Sequence, residues 1–130
     1  MSVRAIRSTL ALAAASILVV ALVATAIASP QASHTPTRVT KQVRAISQHW
    51  SPATVRISAG DTIQWRAISN APHTVTAYGR DWTFNAHLSQ GGVRAHRFAQ
   101  AGTFLFRCRF HSTMFNGHCT GMCGKVVVSA

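Results

Sequence analysis

Residues 101–111 read AGTFLFRCRFH, and they carry the clearest strand signal in the chain. Successive side chains of a β-strand point to opposite faces. In this stretch Phe106 and Cys108 therefore share one face, while Arg107 and Arg109 share the other. Because the arginines must face water, we expect Cys108 to point into the core.

Short alternating segments of this kind recur along most of the chain, and none shows the 3.6-residue period of a helix. The predicted strands cover residues 39–46, 54–58, 62–66, 73–77, 95–98, 103–109 and 125–128. The turn Ala59-Gly60-Asp61 predicts a hairpin between the second and third of them. Residues 81–90 are predicted to be irregular or to form one helical turn. Six to eight short strands without a helix predict an all-β fold, a β-sandwich for which we assume Greek-key order.

The first 28 residues are predicted to be a signal peptide. Arg4 and Arg7 precede an apolar stretch at residues 10–27, and Ala26-Ile27-Ala28 supplies small residues for cleavage. An uncleaved membrane anchor is the alternative, since about 20 apolar residues can cross a bilayer. Either reading predicts an exported domain, whether periplasmic, on the cell surface or secreted.

Beyond that segment the chain is predicted to form one small domain. Residues 29–38 are rich in Ser, Thr and Pro and are expected to be a flexible lead-in. Residues 39–130 suffice for a single two-layer core.

The composition is strongly basic and almost devoid of carboxylates. There are 13 Lys and Arg against two Asp and Glu, a net charge of +11. An exported protein seldom meets nucleic acid, so we predict acidic proteins, anionic membrane lipids or cell-wall polymers as counterparts. A purely solubilising role for the arginines stays open. The scarcity of carboxylates leaves few candidates for general acid–base catalysis, and no enzymatic activity is predicted.

The cysteine count points to one functional thiol. Three cysteines are an odd number, and an exported protein is expected to pair its thiols. Cys119 and Cys123 are close in sequence and easily joined. Cys108, at the end of a strand, would then be left free for a chemical role.

Two histidines accompany Cys108 in a pattern that suits copper. His73 opens a predicted strand, and His111 follows Cys108 at a spacing of three. A thiolate, two imidazoles and a thioether accommodate both Cu(I) and Cu(II). Binding of one copper ion would also explain how an unpaired thiolate persists outside the cell.

The sequence resembles the plastocyanin-like branch of the cupredoxins over about 80 residues. The matching segments are WSP at 50–52, VRI at 55–57, GDTI at 60–63, PHTV at 72–75, AGTF at 101–104, FRCRFH at 106–111 and GMCGKVVV at 121–128, with Trp65 and Asn70 between them. The resemblance implies a Greek-key β-sandwich of the cupredoxin type with a type 1 blue-copper site. It further implies a monomeric carrier of single electrons that works with a redox partner.

The fourth ligand departs from the family pattern, because the segment after His111 is longer. Met122 precedes the last strand as the family's axial methionine does, and we predict that it is the ligand. Met114 is the alternative, since it has the short spacing after His111. A Cys119–Cys123 disulfide would brace this loop. His118 is expected to be a solvated loop residue.

Two functions remain open from the sequence. The first is electron transfer; the resemblance implies that an edge of His111 reaches the surface within an apolar patch that includes Met114 and Phe115, and nearby arginines would steer an acidic partner there. The second is Cu(I) delivery or storage. The remaining histidines are predicted to be surface residues: His34, His49, His87 and His96.

Overall fold

The computed structural model describes residues 37–130, which form nine β-strands and no helix. The strands are β1 Thr40–Ile46, β2 His49–Ser51, β3 Thr54–Ser58, β4 Thr62–Ala67, β5 His73–Tyr78, β6 Asn85–Leu88, β7 Val93–Arg97, β8 Gly102–Phe115 and β9 His118–Ser129. Within these residues no helix is long and apolar enough to cross a membrane. The predicted signal peptide, His34 and most of the predicted lead-in lie outside the described residues.

The strands form two sheets that share one core, so the predicted all-β sandwich is confirmed. One sheet has the order β2-β1-β4-β7 and the other β3-β9-β8-β5-β6. β1 pairs with β4 and β3 with β9 in parallel, whereas the other pairs are antiparallel. Trp65 of β4 and Phe106 of β8 meet between the sheets with ring centroids 5.4 Å apart. Some neighbouring strands are not consecutive in sequence, such as β1 and β4 or β3 and β9. This arrangement agrees with the assumed Greek-key order.

The predicted hairpin between residues 54–58 and 62–66 is wrong. β3 pairs with β9, and β4 pairs with β1 and β7, so the turn at residues 59–61 crosses from one sheet to the other. Its Asp61 carboxylate accepts hydrogen bonds from the backbone N–H groups of Val39, at 2.8 Å, and Ser58, at 3.0 Å. Polar–apolar alternation is the same in a hairpin and in such a crossover, so it cannot tell the two apart.

Residues 81–90, predicted to be irregular or helical, contain the edge strand β6, which pairs antiparallel with β5. The short strand β2 was likewise not predicted. Both strands have at most four residues, too few to show a period.

His96 is not the surface residue that the sequence predicts. Its ring packs against the ring of Phe98, at 4.8 Å between centroids, and that of Phe84, at 5.2 Å. Burial among these rings lowers the pKa of His96 below its ordinary value of 6.5. His49 and His87 are exposed, as predicted.

The segment after His111 is a β-ribbon and not a loop. Pairing of β8 with β9 stops at Arg107 and resumes at Ser112, so residues 108–111 of β8 bulge out opposite residue 122 of β9. Beyond the bulge the two strands close at Asn116 and Gly117, whose φ angles of 46° and 78° are those of a two-residue Asn-Gly turn. The expected Cys119–Cys123 disulfide is present in β9.

Candidate metal centre

The structure brings together three of the predicted ligands: His73, Cys108 and His111. The Sγ atom of Cys108 lies 3.8 Å from Nδ1 of His73 and 3.3 Å from Nδ1 of His111. One donor atom from each residue lies within 4.8 Å of the other two. The Cys108 thiol is free and fully buried, so it points into the core as the strand pattern predicts.

The ring of His73 is held in one orientation by a contact at Nε2, the ring nitrogen that does not face Cys108. Nε2 lies 2.9 Å from the hydroxyl of Ser69, in the turn before β5. With Nε2–H donating to that hydroxyl, the lone pair of Nδ1 faces Cys108. Burial, and secondarily the nearby His111, lowers the pKa of His73 and so favours the neutral imidazole that binds metals.

Thr74 joins the strands that carry His73 and Cys108. Its backbone N–H donates to Cys108 Sγ at 3.4 Å, and its Oγ1 accepts a hydrogen bond from the N–H of Arg109 at 2.9 Å. The N–H of Thr74 can donate in the same way to a sulfur that is bound to a metal ion. The sequence analysis did not identify Thr74, which directly follows His73, or Ser69, which lies four residues before it.

The bulge that carries His111 is fixed by hydrogen bonds at its base. Ser112 Oγ donates to the backbone carbonyl of Cys108 at 2.6 Å, and Arg107 Nη1 donates to Ser112 Oγ at 3.2 Å. These contacts fold the backbone back on itself, so that the His111 ring returns to the sulfur three residues earlier.

The two candidate methionines occupy different positions. Met122 is 1% exposed and is the β9 residue opposite the bulge. Its backbone carbonyl accepts a hydrogen bond from Nε1 of Trp50 at 3.1 Å. Met114 lies farther along the ribbon, paired with Cys119 and partly buried. His118 is exposed near the end of the ribbon, as expected of a solvated residue.

The donor set fits a soft or borderline metal ion. It consists of one buried sulfur and two imidazole nitrogens, with no carboxylate oxygen. Such a set suits copper and disfavours magnesium or calcium, which prefer oxygen ligands. Within residues 37–130 it is the one cluster of His, Cys, Asp or Glu with the spacing of a metal site.

Comparison of the structure with solved proteins identifies the fold. A reduced amicyanin variant matches with a TM-score of 0.57 and 23% identity, covering 78% of this chain and 92% of that one. An oxidised amicyanin variant matches at 0.56 and 21%, covering 68% and 80%. A purple cupredoxin from Nitrosopumilus maritimus matches at 0.54 and 22%, covering 68% and 98%. No protein-family model matches the sequence.

These similarities, at 20–23% identity, show that the chain has the cupredoxin fold. The resemblance seen in the sequence is thereby confirmed at the level of the fold. The cluster of His73, Cys108 and His111 is a plausible copper site on that fold.

Proposed function

We propose that this protein is a type 1 blue-copper protein that carries single electrons outside the cytoplasm. The observation that carries the proposal is the convergence of two imidazole nitrogens on the buried, unpaired sulfur of Cys108. A similar amicyanin structure is described as a reduced Cu(I) form, at a TM-score of 0.57 and 21% identity. His73, Cys108 and His111 would hold the ion.

When bound, a copper ion would supply one-electron chemistry between Cu(I) and Cu(II). The role of the protein is to hold the sulfur and nitrogen ligand atoms in the same positions in both oxidation states. Ser69 orients His73, Thr74 donates to the sulfur, and full burial keeps water from Cys108. A binding site that moves little between oxidation states lowers the cost of electron transfer.

We further propose Met122 as the axial ligand. It stands alone opposite the bulge, and its backbone carbonyl accepts a hydrogen bond from Trp50, whose ring centroid lies 6.3 Å from that of His73. Met114 is displaced along the ribbon by the length of three residue pairs.

The proposal also includes four predictions made from the sequence: export directed by residues 1–28, a monomeric state, a non-enzymatic role and an acidic redox partner.

The proposal is tested by loading the purified protein with Cu(II) and recording its visible absorption. We expect an intense blue thiolate-to-copper band and a reversible reduction potential. Cys108→Ser should abolish the band while the protein stays folded, because serine can still accept the Thr74 hydrogen bond. Circular dichroism supplies the folding control.

Two results would contradict the electron-carrier proposal. Visible absorption retained in Cys108→Ser would remove Cys108 from the site. A colourless wild-type protein that binds only Cu(I) would favour the alternative function, copper delivery or storage.

The axial ligand is tested by matched methionine variants. Met122→Gln should shift the reduction potential while copper stays bound, because the axial ligand tunes the potential. Met114→Gln, the control, should leave the potential within error of wild type. Voltammetry of the two variants decides the assignment, and the reverse pattern would transfer the axial role to Met114.

A further inference from the structure

A cleft of about 670 Å³ lies on the outer face of the sheet that carries Cys108. Arg107 and Arg109 line it from β8, together with Thr76 and Asn85 from the neighbouring strands. Asn85, Thr76 and Arg107 are directly paired across β6, β5 and β8, so their side chains share one face. Cys108 lies between the two arginines in sequence but points to the opposite, buried face.

The two arginines bring positive charge to the cleft, and Asp81, which precedes the lining residue Trp82, does not itself line it. No acidic side chain lines the cleft. Residues 37–130 contain two acidic residues, and the carboxylate of one, Asp61, is engaged by the backbone of Val39 and Ser58. The cleft therefore presents two guanidinium groups to whatever binds there. Guanidinium groups bind carboxylates through paired, charge-assisted hydrogen bonds.

The spacing of the arginines indicates the shape of the ligand. Arg107 and Arg109 both line the cleft with one residue between them, a separation of at most about 7 Å along the strand. Alternate residues of an extended acidic peptide present carboxylates at the same interval. An extended peptide can pair each guanidinium with its own carboxylate, whereas a single phosphate-sized anion has to be shared between the two.

The cleft is also connected to the metal centre. Arg107 donates to the Ser112 hydroxyl, which in turn donates to the backbone carbonyl of Cys108. A protein bound in the cleft would thus contact the strand segment that carries the candidate copper ligand.

We propose that this cleft is a docking surface for an extended acidic segment of the redox partner, with alternate carboxylates paired to Arg107 and Arg109. The proposal rests on the proposed electron-carrier function, because it identifies a surface, in addition to the apolar patch predicted at Met114 and Phe115, by which that carrier meets its partner.

The test uses the copper-loaded full chain and a synthetic peptide with glutamate at every second position. Isothermal titration calorimetry at low salt measures its association with wild type, Arg107→Gln/Arg109→Gln and Arg44→Gln/Arg66→Gln. The last is a matched control, because Arg44 and Arg66 are exposed, directly paired residues of β1 and β4 on the other sheet. Arg109→Gln alone tests the cleft while leaving the Arg107–Ser112 hydrogen bond in place.

We expect the cleft double variant to bind the peptide at least about tenfold more weakly, and Arg109→Gln alone to lose part of that affinity. The control double variant, with the same loss of net charge, should change affinity by less than about threefold. Equal weakening in both double variants would overturn the proposal, since only net charge would then matter. Inorganic phosphate that displaces the peptide at equal concentration would also overturn it and indicate a site for a free small anion.

The visible absorption of every sample keeps the two proposals separate. A wild-type protein without the blue band refutes the proposed copper function, whatever the peptide does. If the protein is blue and the cleft variants bind the peptide as tightly as wild type does, only the docking-surface proposal is refuted.

Discussion

Gly121 shows how one residue without a side chain can shape a metal site. Its φ of 94° lies in the region that other residues rarely adopt. A Cβ atom at this position would lie 2.5 Å from the backbone oxygen of His111 and 3.2 Å from Cα of Ser112. The close approach of β9 to the bulge therefore requires glycine here, and it helps to place His111.

We predict that Gly121→Ala destabilises the protein and disturbs the copper site. Gly117→Ala is the control, because Gly117 has a φ of 78° but a Cβ added there would meet nothing within 4 Å. The control should lower the free energy of unfolding by about 1–2 kcal/mol through backbone strain alone. Gly121→Ala should cost more and alter the visible spectrum, because His111 must move. Denaturant unfolding and absorption spectra that are the same for both variants would contradict this role.

The three candidate ligands that the structure brings together were identified from the sequence, whereas the residues that support them were not. His73, Cys108 and His111 are distinguished by residue type, by strand-end position and by the spacing of three. Ser69 is an ordinary hydroxyl residue whose role depends on the conformation of the turn before His73, and Thr74 is one whose role depends on which atoms face it across strands. That information lies in the register of β5 against β8, which alternation alone does not contain.

At the level of elements, the ribbon formed by β8 and β9 shows where periodicity stops being informative. Alternation correctly placed Cys108 inward and the two flanking arginines outward. It did not predict the bulge at residues 108–111, because a bulge breaks the period, here at the candidate ligands Cys108 and His111. The Asn116-Gly117 pair is a strong hairpin signal, and it was the feature of the sequence that could have predicted the ribbon.

The disulfide in β9 fits the same element. Cys119 and Cys123 have Cα atoms 6.1 Å apart, much closer than four residues of extended strand would allow. The strand must therefore turn sharply between them, at Gly121. Closing so short a loop restricts the unfolded chain little, so we expect the bond to act by making the base of the ribbon rigid beside Met122.

At the level of the whole molecule, the all-β class and most of the strands could be predicted, but their partners could not. β3 and β4 were expected to pair because they are adjacent in sequence, yet each pairs within a different sheet. Such partners are chosen by burial of both apolar faces in one core, a property of the complete chain. Asp61 lies at this crossover and is hydrogen-bonded to backbone ahead of β1 and at the end of β3, and so joins the two sheets.

The pKa of Asp61 allows the role of its carboxylate in joining the two sheets to be tested by measuring stability at low pH. The hydrogen bonds from Val39 and Ser58 lower its pKa below the ordinary value of 3.8. The unfolded chain therefore binds this proton more readily than the folded one, so the carboxylate stabilises the fold above pH 3.8 and this stabilisation is lost as pH falls through the lower folded value.

We predict that Asp61→Asn lowers the free energy of unfolding at pH 7 and weakens its dependence on pH below about 4. Asp81→Asn is the control, since Asp81 is exposed. Denaturant titrations at pH 7 and pH 3 measure both effects. The visible spectrum of copper-loaded Asp61→Asn at pH 7 should match wild type, because Asp61 precedes β4 whereas His73 and its turn follow that strand. An acid dependence equal to wild type in Asp61→Asn would show that this carboxylate does not couple the sheets.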